Sequence, residues 1–365
     1  MKISAPTNKV EEVEELINEG ADELYCGVAW KEWSEKYTIA AANRRANKSS
    51  NLSSFDELRR ITDIAHSYDV PVSFCVNEHY YIQEQYPLLQ RYLQMAIEAG
   101  VDSLMIADAA LILTLREAWG IDIPIAISTG GATFNSEAAR FYHDLGASRI
   151  TLPRHLKIGE IRDIVCDISG LETSVFILNI RCANIDGLCT FDHTALKCPE
   201  PAKLLGEKVW SDYYNGKSFP PANRGKDPVW TNACMLPYII SLFSKTEEEL
   251  SEEEETRLVS SLVKQGIWDR AHIDNVPCGV CALYEFEEMG VDYAKIVGRD
   301  SLTSRKIGDI RFIRIMLSAL EDEGISREEY RKKARELHRY HYGVTCQKIS
   351  CYYPEVLSEE ASLGS

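Results

Sequence analysis

The sequence lacks several features that would tie the protein to a membrane or to a polyanionic partner. No apolar run approaches the roughly 20 residues that cross a membrane, and no charged-then-apolar leader precedes the strand-like start at Lys2. Positive charge is in the minority, since 40 Lys and Arg stand against 56 Asp and Glu and give a net charge of −16. Such a field repels polyphosphate. We therefore expect a soluble, cytoplasmic protein with no membrane association, for which nucleic acid is an unlikely partner.

The signatures of well-known hydrolases and nucleotide-binding proteins are also missing. There is no His-Glu-x-x-His zinc-protease motif, no Gly-x-Ser-x-Gly elbow and no glycine-rich phosphate loop. Proteolysis by a known chemistry therefore has no support from these residues. Hydrophobic residues make up 45% of the chain, which is enough to bury a sizeable core.

A short pattern recurs along the chain and marks the entry to a strand. A helical stretch ends in glycine, a small or acidic residue follows, and an apolar stretch comes next, at Gly20, Gly100, Gly146 and Gly290. Glycine suits the left-handed backbone at a helix C-terminus. The pattern therefore predicts helix-to-strand turns at these four positions.

Eight short apolar stretches are predicted as strands, near residues 2–5, 23–27, 71–76, 103–106, 124–127, 149–152, 174–178 and 293–297. Predicted helices include 10–19, 55–68 (with Ser54 and Glu57 as a capping box), 88–99, 136–145, 158–168, 307–320 and 326–340. This alternation predicts an α/β fold, a TIM-like (β/α)8 barrel of parallel strands. We divide the chain into the first seven barrel units (1–180), a cysteine-rich insertion after strand seven (181–277), and the last barrel unit with a helical C-terminal tail (278–365).

Four of the eleven cysteines follow the seventh predicted strand. They are Cys182, Cys189, Cys198 and Cys234, separated by six, eight and thirty-five residues. The cytosol keeps thiols reduced, so ligation of a metal is the leading explanation. Soft thiolates suit an iron–sulfur cluster or zinc, and the absence of tight Cys-x2-4-Cys spacing favours the cluster over zinc or unligated thiols.

A second set of cysteines lies near the end of the chain. Cys278 and Cys281 form a Cys-x2-Cys pair, and Cys346 and Cys351 follow in the tail. The pair alone could be a redox dithiol, whereas the four together could hold a second metal or a second cluster.

Three more cysteines are isolated in strand or helix positions. Cys26, Cys75 and Cys166 are expected to be small buried hydrophobic residues.

In a parallel barrel, function gathers at the carboxyl ends of the strands. The candidates there are Glu78, His79, Asp108, Ser128, Thr129, Arg154, His155 and Arg299. Arg154 and Arg299 either hold a carboxylate substrate or pair with Glu78 or Asp108 inside the barrel mouth. His79 and His155 are either proton carriers or structural. Our candidate catalytic residues are Arg154, Arg299, His79 and Asp108.

The chain resembles the collagenase-like peptidase family U32, on residues that run through nearly the whole barrel. They are residues 4–8, 20–27, 100–102, 128–129, 152–154, 278 and 290–299. The family includes proteins needed for oxygen-independent hydroxylation of ubiquinone precursors, tRNA and ribosomal RNA. The sequence differs from the family's usual pattern at Gly130, where Gln is common, and at Val297, where Glu is common.

The resemblance implies a cofactor and a chemistry. Family members hold a 4Fe-4S cluster through four cysteines, and the first two are separated by six residues just after strand seven. Cys182 and Cys189 reproduce this spacing, with Cys198 and Cys234 as candidates for the other two ligands. The implied reaction is oxygen-independent hydroxylation of a small aromatic or acidic metabolite. Arg154 and Arg299 would anchor a carboxylate of the substrate or of a hydroxyl donor such as prephenate.

Two other classes of function stay open. The chain could be a cluster-bearing electron-transfer or scaffold subunit with no substrate of its own, or a peptidase, as the family name says. A protein partner or a homo-oligomer is compatible with each of these. Two clusters close together would favour electron transfer, whereas a polar barrel mouth would favour the enzyme.

Overall fold

A computed structural model describes residues 1–37, 42–45, 48–179, 185–188, 196–197, 230–231, 277–321, 324–346 and 350–357. The cysteines Cys182, Cys189, Cys198 and Cys234 lie outside these residues. Within the described part, no helix combines the length and the apolar character needed to cross a membrane.

Eight parallel strands close into a barrel. The strands are β1 (Lys2–Pro6), β2 (Glu23–Cys26), β3 (Val72–Val76), β4 (Ser103–Ile106), β5 (Ile125–Ile127), β6 (Arg149–Thr151), β7 (Glu172–Leu178) and β10 (Tyr293–Ile296). Around the barrel the order is β1, β10, β7, β6, β5, β4, β3, β2, so the last strand closes the sheet between the first and the seventh. Two further strands, β8 (Leu196–Lys197) and β9 (Trp230–Thr231), pair antiparallel with each other. The predicted TIM-like barrel is confirmed.

Helices surround the barrel. They are α1 (Val13–Asn18), α2 (Lys31–Lys36), α3 (Phe55–Ser67), α4 (Tyr86–Glu98), α5 (Ala109–Leu113), α6 (Ser136–Asp144), α7 (Ile158–Asp167), α8 (Leu283–Met289), α9 (Thr303–Ser318) and α10 (Arg327–Tyr342). Short 3-10 turns lie at Val10–Glu12, Lys48–Ser50, Gln83–Gln85, Thr129–Gly131, Val280–Ala282, Ala319–Glu321 and Pro354–Val356, and a π-helical turn at Thr114–Ala118. The sequence analysis did not predict α2 and α5, which are both six residues or shorter and therefore show little helical periodicity.

The glycine turns have the predicted left-handed backbone. The φ angles of Gly20, Gly100, Gly146 and Gly290 lie between 84° and 109°. Glycine is the one residue that adopts these angles without steric cost. The four helix-to-strand turns are therefore confirmed.

The acidic residue two positions after the glycine has a role of its own. Three of these acids, Asp22, Asp102 and Asp292, each accept a hydrogen bond of 2.7 Å from a backbone N–H at the start of a neighbouring strand. The donors are Ile3 of β1, Val72 of β3 and Thr173 of β7, respectively. A strand start has backbone donors that the sheet does not use. The repeated Gly-x-Asp sequence thus both turns the chain and satisfies the adjacent strand.

The lower part of the barrel interior contains a compact group of polar side chains, which we call the lower layer: Ser4, Glu23, Arg149 and Tyr293. Glu23 is almost fully buried and accepts a hydrogen bond of 2.7 Å from the Ser4 hydroxyl and one of 2.5 Å from Arg149 Nη1. The Arg149 guanidinium lies 3.6 Å from the centre of the Tyr293 ring. The buried charges in this layer are thus paired.

The C-terminal segment packs back onto the barrel. The Tyr353 hydroxyl donates to the Phe176 carbonyl at 3.0 Å, and Glu355 Oε1 accepts from the Ile158 N–H at 2.7 Å. Tyr352 donates to the carbonyl of Asn179, the residue that follows β7. These bonds hold residues 350–357 against the end of β7 and the start of α7.

Candidate functional site

A pocket of about 130 Å³ opens at the carboxyl ends of the barrel strands, and we call it the mouth pocket. Its lining contains five cationic side chains, Arg44, Arg45, Arg154, Lys295 and Arg299. Two acids, Asp186 and Asp300, also line it. The described part of the lining therefore has an excess of positive charge, although the chain as a whole is strongly negative.

Arg299 is held in a fixed position beside the loop that follows α2. The side chain is buried, and its Nη1 and Nη2 donate to Asn51 Oδ1 at 3.3 Å and to the Asn43 carbonyl at 3.2 Å. A Cβ atom at Gly27 would lie 2.4 Å from both Arg299 Nη1 and Asn43 Nδ2. Glycine at position 27 is therefore what lets the guanidinium and the Asn43 amide approach the strand end.

Arg44 and Arg45 come from the same loop and add to the positive charge. Arg44 has a left-handed backbone with φ of 58°, which costs a side-chain-bearing residue roughly 1–2 kcal/mol. Asn51 Nδ2 donates to the Arg45 carbonyl at 2.7 Å. Burial lowers the pKa of Arg45, and the like charge of Arg299 lowers it further. Crowding of guanidinium groups in this way favours an anionic ligand between them.

Lys295 extends the cationic wall into the barrel interior. It lies on β10, is almost fully buried, and its Nζ stands 3.7 Å from the centre of the Tyr25 ring. Among the described residues no acid forms an ion pair with it. Burial lowers the pKa of Lys295 to about 8; Glu23 opposes this shift and Arg299 adds to it. A buried amine whose pKa is lowered and that faces a pocket is a functional candidate.

The Arg154 side chain forms an ion pair with an acid of the pocket. Its Nε and Nη2 donate to the two carboxylate oxygens of Asp186 at 3.0 and 2.5 Å, and its backbone N–H donates to Asp186 Oδ2 at 2.9 Å. Burial raises the pKa of Asp186, but the Arg154 charge and hydrogen bonds outweigh it and hold this pKa below the ordinary value. Asp186 belongs to a turn whose Gly187 has φ of 82°, where a Cβ atom would lie 2.8 Å from the Ala132 nitrogen. The Arg154 side chain thus fixes this turn against the barrel.

His79 and its neighbours supply neutral polar atoms. The His79 Nδ1 atom lies 3.3 Å from the Gly130 carbonyl oxygen, while its buried Nε2 has no hydrogen-bond partner among the described residues. The same holds for the buried Asn77 Oδ1 and Thr151 Oγ1 atoms. Burial lowers the pKa of His79 to about 4, and the Arg44 charge contributes to the shift. His79 is therefore neutral at pH 7.

Arg154, Arg299 and His79, three of the four candidate catalytic residues, line the mouth pocket, and so do Ser128 and Thr129. Asp108 does not. Its Oδ1 caps α5 through the Ala110 N–H at 2.9 Å, and its Oδ2 accepts from the Tyr81 N–H at 3.1 Å.

Other strand-end residues differ from the predicted arrangement. Arg154 does pair with an acid, but with Asp186 rather than with Glu78 or Asp108. Neither Glu78 nor His155 belongs to the described lining.

Sequence reasoning missed Lys295, Arg44, Arg45 and Asp186. A lysine inside an otherwise apolar strand was a usable signal for Lys295, because a charged residue in a barrel strand needs a polar surrounding. The other three lie in loops, where sequence offers no periodic pattern.

The second cysteine set falls within the described residues. Cys278, Cys281 and Cys351 are buried and Cys346 is partly buried. As placed, no three His, Cys, Asp or Glu side chains of the described residues stand in a metal-ligand arrangement.

Of the isolated cysteines, Cys26 and Cys75 are buried as expected. Cys166 is exposed, so that expectation was wrong. It lies one residue before the end of α7, on the side of the helix away from the barrel.

The geometry defines a class: a (β/α)8-barrel protein with a cation-rich pocket at the carboxyl ends of its strands, the position of the active site in barrel enzymes.

The comparison with protein families gives the family. The model of Peptidase family U32 matches residues 8–197, which is just over half of the chain. The chain belongs to this family.

Individual relatives are distant. The tRNA hydroxylation protein P of Helicobacter pylori is 26% identical over 189 residues, which are 52% of this chain and 42% of that protein. A collagenase of Porphyromonas gingivalis is 25% identical over 198 residues, 52% of this chain and 44% of that protein. A 23S rRNA 5-hydroxycytidine synthase of Escherichia coli is 24% identical over 277 residues, 73% of this chain and 35% of that protein. The matched part of this chain spans less than half the length of each of these relatives.

Proposed function

We propose that this chain is an iron–sulfur protein that hydroxylates a small acidic molecule without oxygen, in the mouth pocket. The observation that carries the proposal is the convergence of five cationic side chains on one pocket in a chain of net charge −16. A cationic cleft concentrates anions against the field of the rest of the molecule. A carboxylate-bearing substrate or hydroxyl donor fits this site.

The net reaction needs no oxygen. A C–H bond of the acceptor becomes C–OH while a C–OH bond of the donor becomes C–H, so atoms and electrons balance between the two molecules. The pocket's contribution is to bind the donor and acceptor side by side and to exclude water.

Lys295 and Arg299 are the residues that we assign to the carboxylate. Arg299 is fixed by Asn43 and Asn51, so it loses little side-chain entropy on binding. Lys295 has no acid partner among the described residues, so a bound anion would stabilise its buried positive charge. His79, neutral at pH 7, offers its Nε2 as a hydrogen-bond partner for a hydroxyl group.

The cofactor of this proposal is one 4Fe-4S cluster held by Cys182, Cys189, Cys198 and Cys234, which all lie outside the described residues. Four thiolates are a suitable ligand set, and such a cluster supplies one-electron transfer. Asp186, which Arg154 holds at the pocket, is four residues after Cys182 and three before Cys189.

RNA is a second candidate substrate. Two of the relatives carry names that refer to tRNA hydroxylation and to a hydroxylated cytidine of 23S rRNA. These names run against our expectation that nucleic acid is an unlikely partner. The cationic pocket would also suit a phosphate group, so the experiments must separate the two substrates.

The peptidase alternative has less support from the geometry. The His79 Nδ1 atom lies 3.3 Å from the Gly130 carbonyl oxygen, and within the described residues its Nε2 forms no hydrogen bond to a serine or cysteine. A nucleophile and a base within hydrogen-bond distance are what covalent proteolysis requires. The polar mouth pocket also favours an enzyme over a scaffold subunit.

The first experiment measures anion binding by calorimetry, with malonate and inorganic phosphate as probes. We expect Lys295→Met and Arg299→Gln each to weaken malonate binding about 10- to 100-fold, since a hydrogen bond to a charged group contributes about 1.5–3 kcal/mol. The control is Arg311→Gln, because Arg311 is exposed and paired with Glu19 on the outer surface. Equal binding by all four proteins would contradict the proposed site.

The second experiment identifies the substrate. Cells that lack the protein are grown without oxygen, and their metabolites and digested RNA are compared with those of the parent by mass spectrometry. Loss of a hydroxylated small molecule supports the proposal, and loss of a hydroxylated nucleoside assigns RNA instead. Loss of neither, together with peptide cleavage by the purified protein, would support the peptidase.

A further inference from the structure

One primary amine lies inside the barrel where a small ligand can reach it. Lys295 is on β10, is only 4% exposed, and lines the mouth pocket. Its Nζ atom lies 3.7 Å from the centre of the Tyr25 ring. In the described part of the chain it forms no ion pair and no hydrogen bond. Its N–H donors, and its lone pair once a proton is lost, are therefore available to a ligand.

Tyr25 holds the amine at a fixed depth in the barrel. The Tyr25 hydroxyl donates a hydrogen bond of 2.7 Å to the carbonyl of Ile296, the residue after Lys295, and its side chain is buried. An aromatic face attracts a cation. The ammonium group of lysine and the iminium that lysine forms with a ketone are both cations. The Tyr25 ring therefore suits this amine both before and after a reaction with a carbonyl group.

The Arg299 guanidinium lies nearer to the opening of the mouth pocket, beside the same strand. Tyr25 and Gly27 are two positions apart at the end of β2, so they face the same side of that strand. Lys295 Nζ lies against the Tyr25 ring, and Arg299 Nη1 occupies the space that a Cβ atom at Gly27 would need. Two residues of a strand span roughly 7 Å. The amine and the guanidinium are therefore offset along β2 by about the size of a small acid.

This arrangement fits the two reactive ends of a 2-oxo acid. Its carboxylate accepts hydrogen bonds of about 2.8 Å from a guanidinium, and its ketone carbon is bonded directly to the carboxylate carbon. With the carboxylate on Arg299, the ketone carbon is directed into the pocket towards Lys295. A dicarboxylate such as malonate would only pair with the lysine charge, whereas a ketone offers a carbon that an amine can attack.

The surroundings of Lys295 also favour its reaction as a nucleophile. Burial lowers the pKa of Lys295 to about 8, and the Arg299 charge adds to this shift while Glu23 opposes it. The neutral amine is the form that attacks a carbonyl, and desolvation beside another cation increases its population. The buried Lys306 differs, because its Nζ donates to Glu12 and to Asn8 and does not line the mouth pocket.

We propose that Lys295 is a covalent attachment site for a 2-oxo acid, whose carboxylate binds Arg299 and whose ketone carbon forms an imine with Nζ. In this step the lysine ammonium gives up two protons, which leave with the ketone oxygen as water, and a C=N bond replaces the C=O bond. The iminium keeps the positive charge, and the step needs no oxidant or reductant. The inference rests on the anion site of the proposed function and names the chemical class of one ligand of that site.

The test traps the imine in the wild-type protein. The protein is incubated with pyruvate and sodium cyanoborohydride, which reduces an imine to a stable secondary amine, and the modified lysines are mapped by mass spectrometry. We expect the adduct at Lys295 in preference to Lys306 and to the exposed lysines. Lys295→Arg keeps the positive charge without the primary amine and should lose the adduct. The matched control is Lys332→Arg, at an exposed lysine of α10, which should retain it. A wild-type protein without an adduct at Lys295 would overturn the proposal.

Methyl pyruvate and malonate test the role of the carboxylate. Methyl pyruvate has the same ketone without the negative charge. We expect Arg299→Gln to slow labelling of Lys295 by pyruvate about 10-fold or more and to leave labelling by methyl pyruvate unchanged. Excess malonate should suppress labelling by pyruvate. Malonate binding without a pyruvate adduct would overturn the covalent step and leave the anion site of the proposed function in place. An adduct that forms regardless of malonate and of Arg299 would overturn the assignment of a 2-oxo acid.

Discussion

The lower layer and the mouth pocket both place cationic side chains inside one barrel, and the two regions differ in how these charges are paired. In the lower layer, Arg149 donates to Glu23 and to Glu172, and its guanidinium lies over the Tyr293 ring. Among the described residues that line the mouth pocket, cationic side chains outnumber acids by five to two. Satisfied charges stabilise a fold, whereas an excess of one sign is tolerated where a ligand of the other sign binds.

Two buried lysines show the same difference. Lys306 Nζ, on α9, donates to Glu12 Oε1 at 2.7 Å and to Asn8 Oδ1 at 2.6 Å. Lys295 stacks on Tyr25 and has no acid partner among the described residues. The first lysine is a structural link between α9 and the start of the chain. The second, also buried, is the lysine to which we assign an anion in the proposed function.

The comparison predicts the largest loss of stability in the lower layer. Arg149→Met removes the ion pair of the buried Glu23 carboxylate and leaves it the hydrogen bond from the Ser4 hydroxyl. We therefore expect a loss of about 3–5 kcal/mol in the free energy of unfolding. Urea denaturation at pH 7 measures it. In a double variant that also carries Glu23→Gln, much of the lost free energy of unfolding should be regained. A loss below about 1 kcal/mol for Arg149→Met would mean that the lower layer is not a tightly coupled unit.

The Arg154–Asp186 pair is a tightly paired charge of the mouth pocket, and it sharpens the contrast. We expect Arg154→Met and Asp186→Asn to be non-additive in the free energy of unfolding, by about 1–3 kcal/mol. Because the folded-state pKa of Asp186 is lowered, its stabilisation is present at neutral pH and is lost as the pH falls below 3.8.

The same two variants test whether the Arg154–Asp186 pair supports the proposed cluster. Since Asp186 lies between Cys182 and Cys189 in sequence, both variants should also lower the iron content of protein purified without oxygen. Arg311→Gln serves as the control for this measurement, and additive losses of stability with full iron content would show that the pair holds nothing in place.

Lys295 should behave in the opposite way from the lower layer. Its folded-state pKa of about 8 is below the ordinary value of 10.5, so the unfolded chain binds more protons between these values. The stability of the wild type relative to Lys295→Met should therefore rise from pH 8 to 10.5, by up to about 3 kcal/mol. Malonate affinity should fall over the same range in the wild type and stay flat in Lys295→Met. A flat stability difference would mean that Lys295 is paired.

The smallest expected effect concerns His79. Because burial lowers the pKa of His79 to about 4, its imidazole should show no titration between pH 5 and 8. NMR spectra of the histidine side chains measure this, and His79→Gln identifies the signal. A midpoint near 6.5 would place His79 in a wetter and more accessible part of the mouth pocket than the structure shows.

The prediction from sequence was most accurate where the signal is local. The Gly-x-Asp turns and the eight strands follow from backbone preferences and period, which act over a few residues. The strand ends then located Arg154, Arg299 and His79, because every parallel strand of a barrel ends at the same face. Asp108 also follows a strand, yet it caps α5, and the sequence does not separate these two uses of an acid.

The amino-acid sequence by itself determined the barrel, its helix-to-strand turns and the family resemblance, since these depend on local patterns of apolar residues, glycine and acid. Only the tertiary structure decided which charges are paired. Arg154 meets Asp186 from 32 positions away, and Arg299 meets Asn43 from 256 positions away. An ion pair depends on the distance between side chains and on their burial, and neither quantity is set by neighbours in sequence.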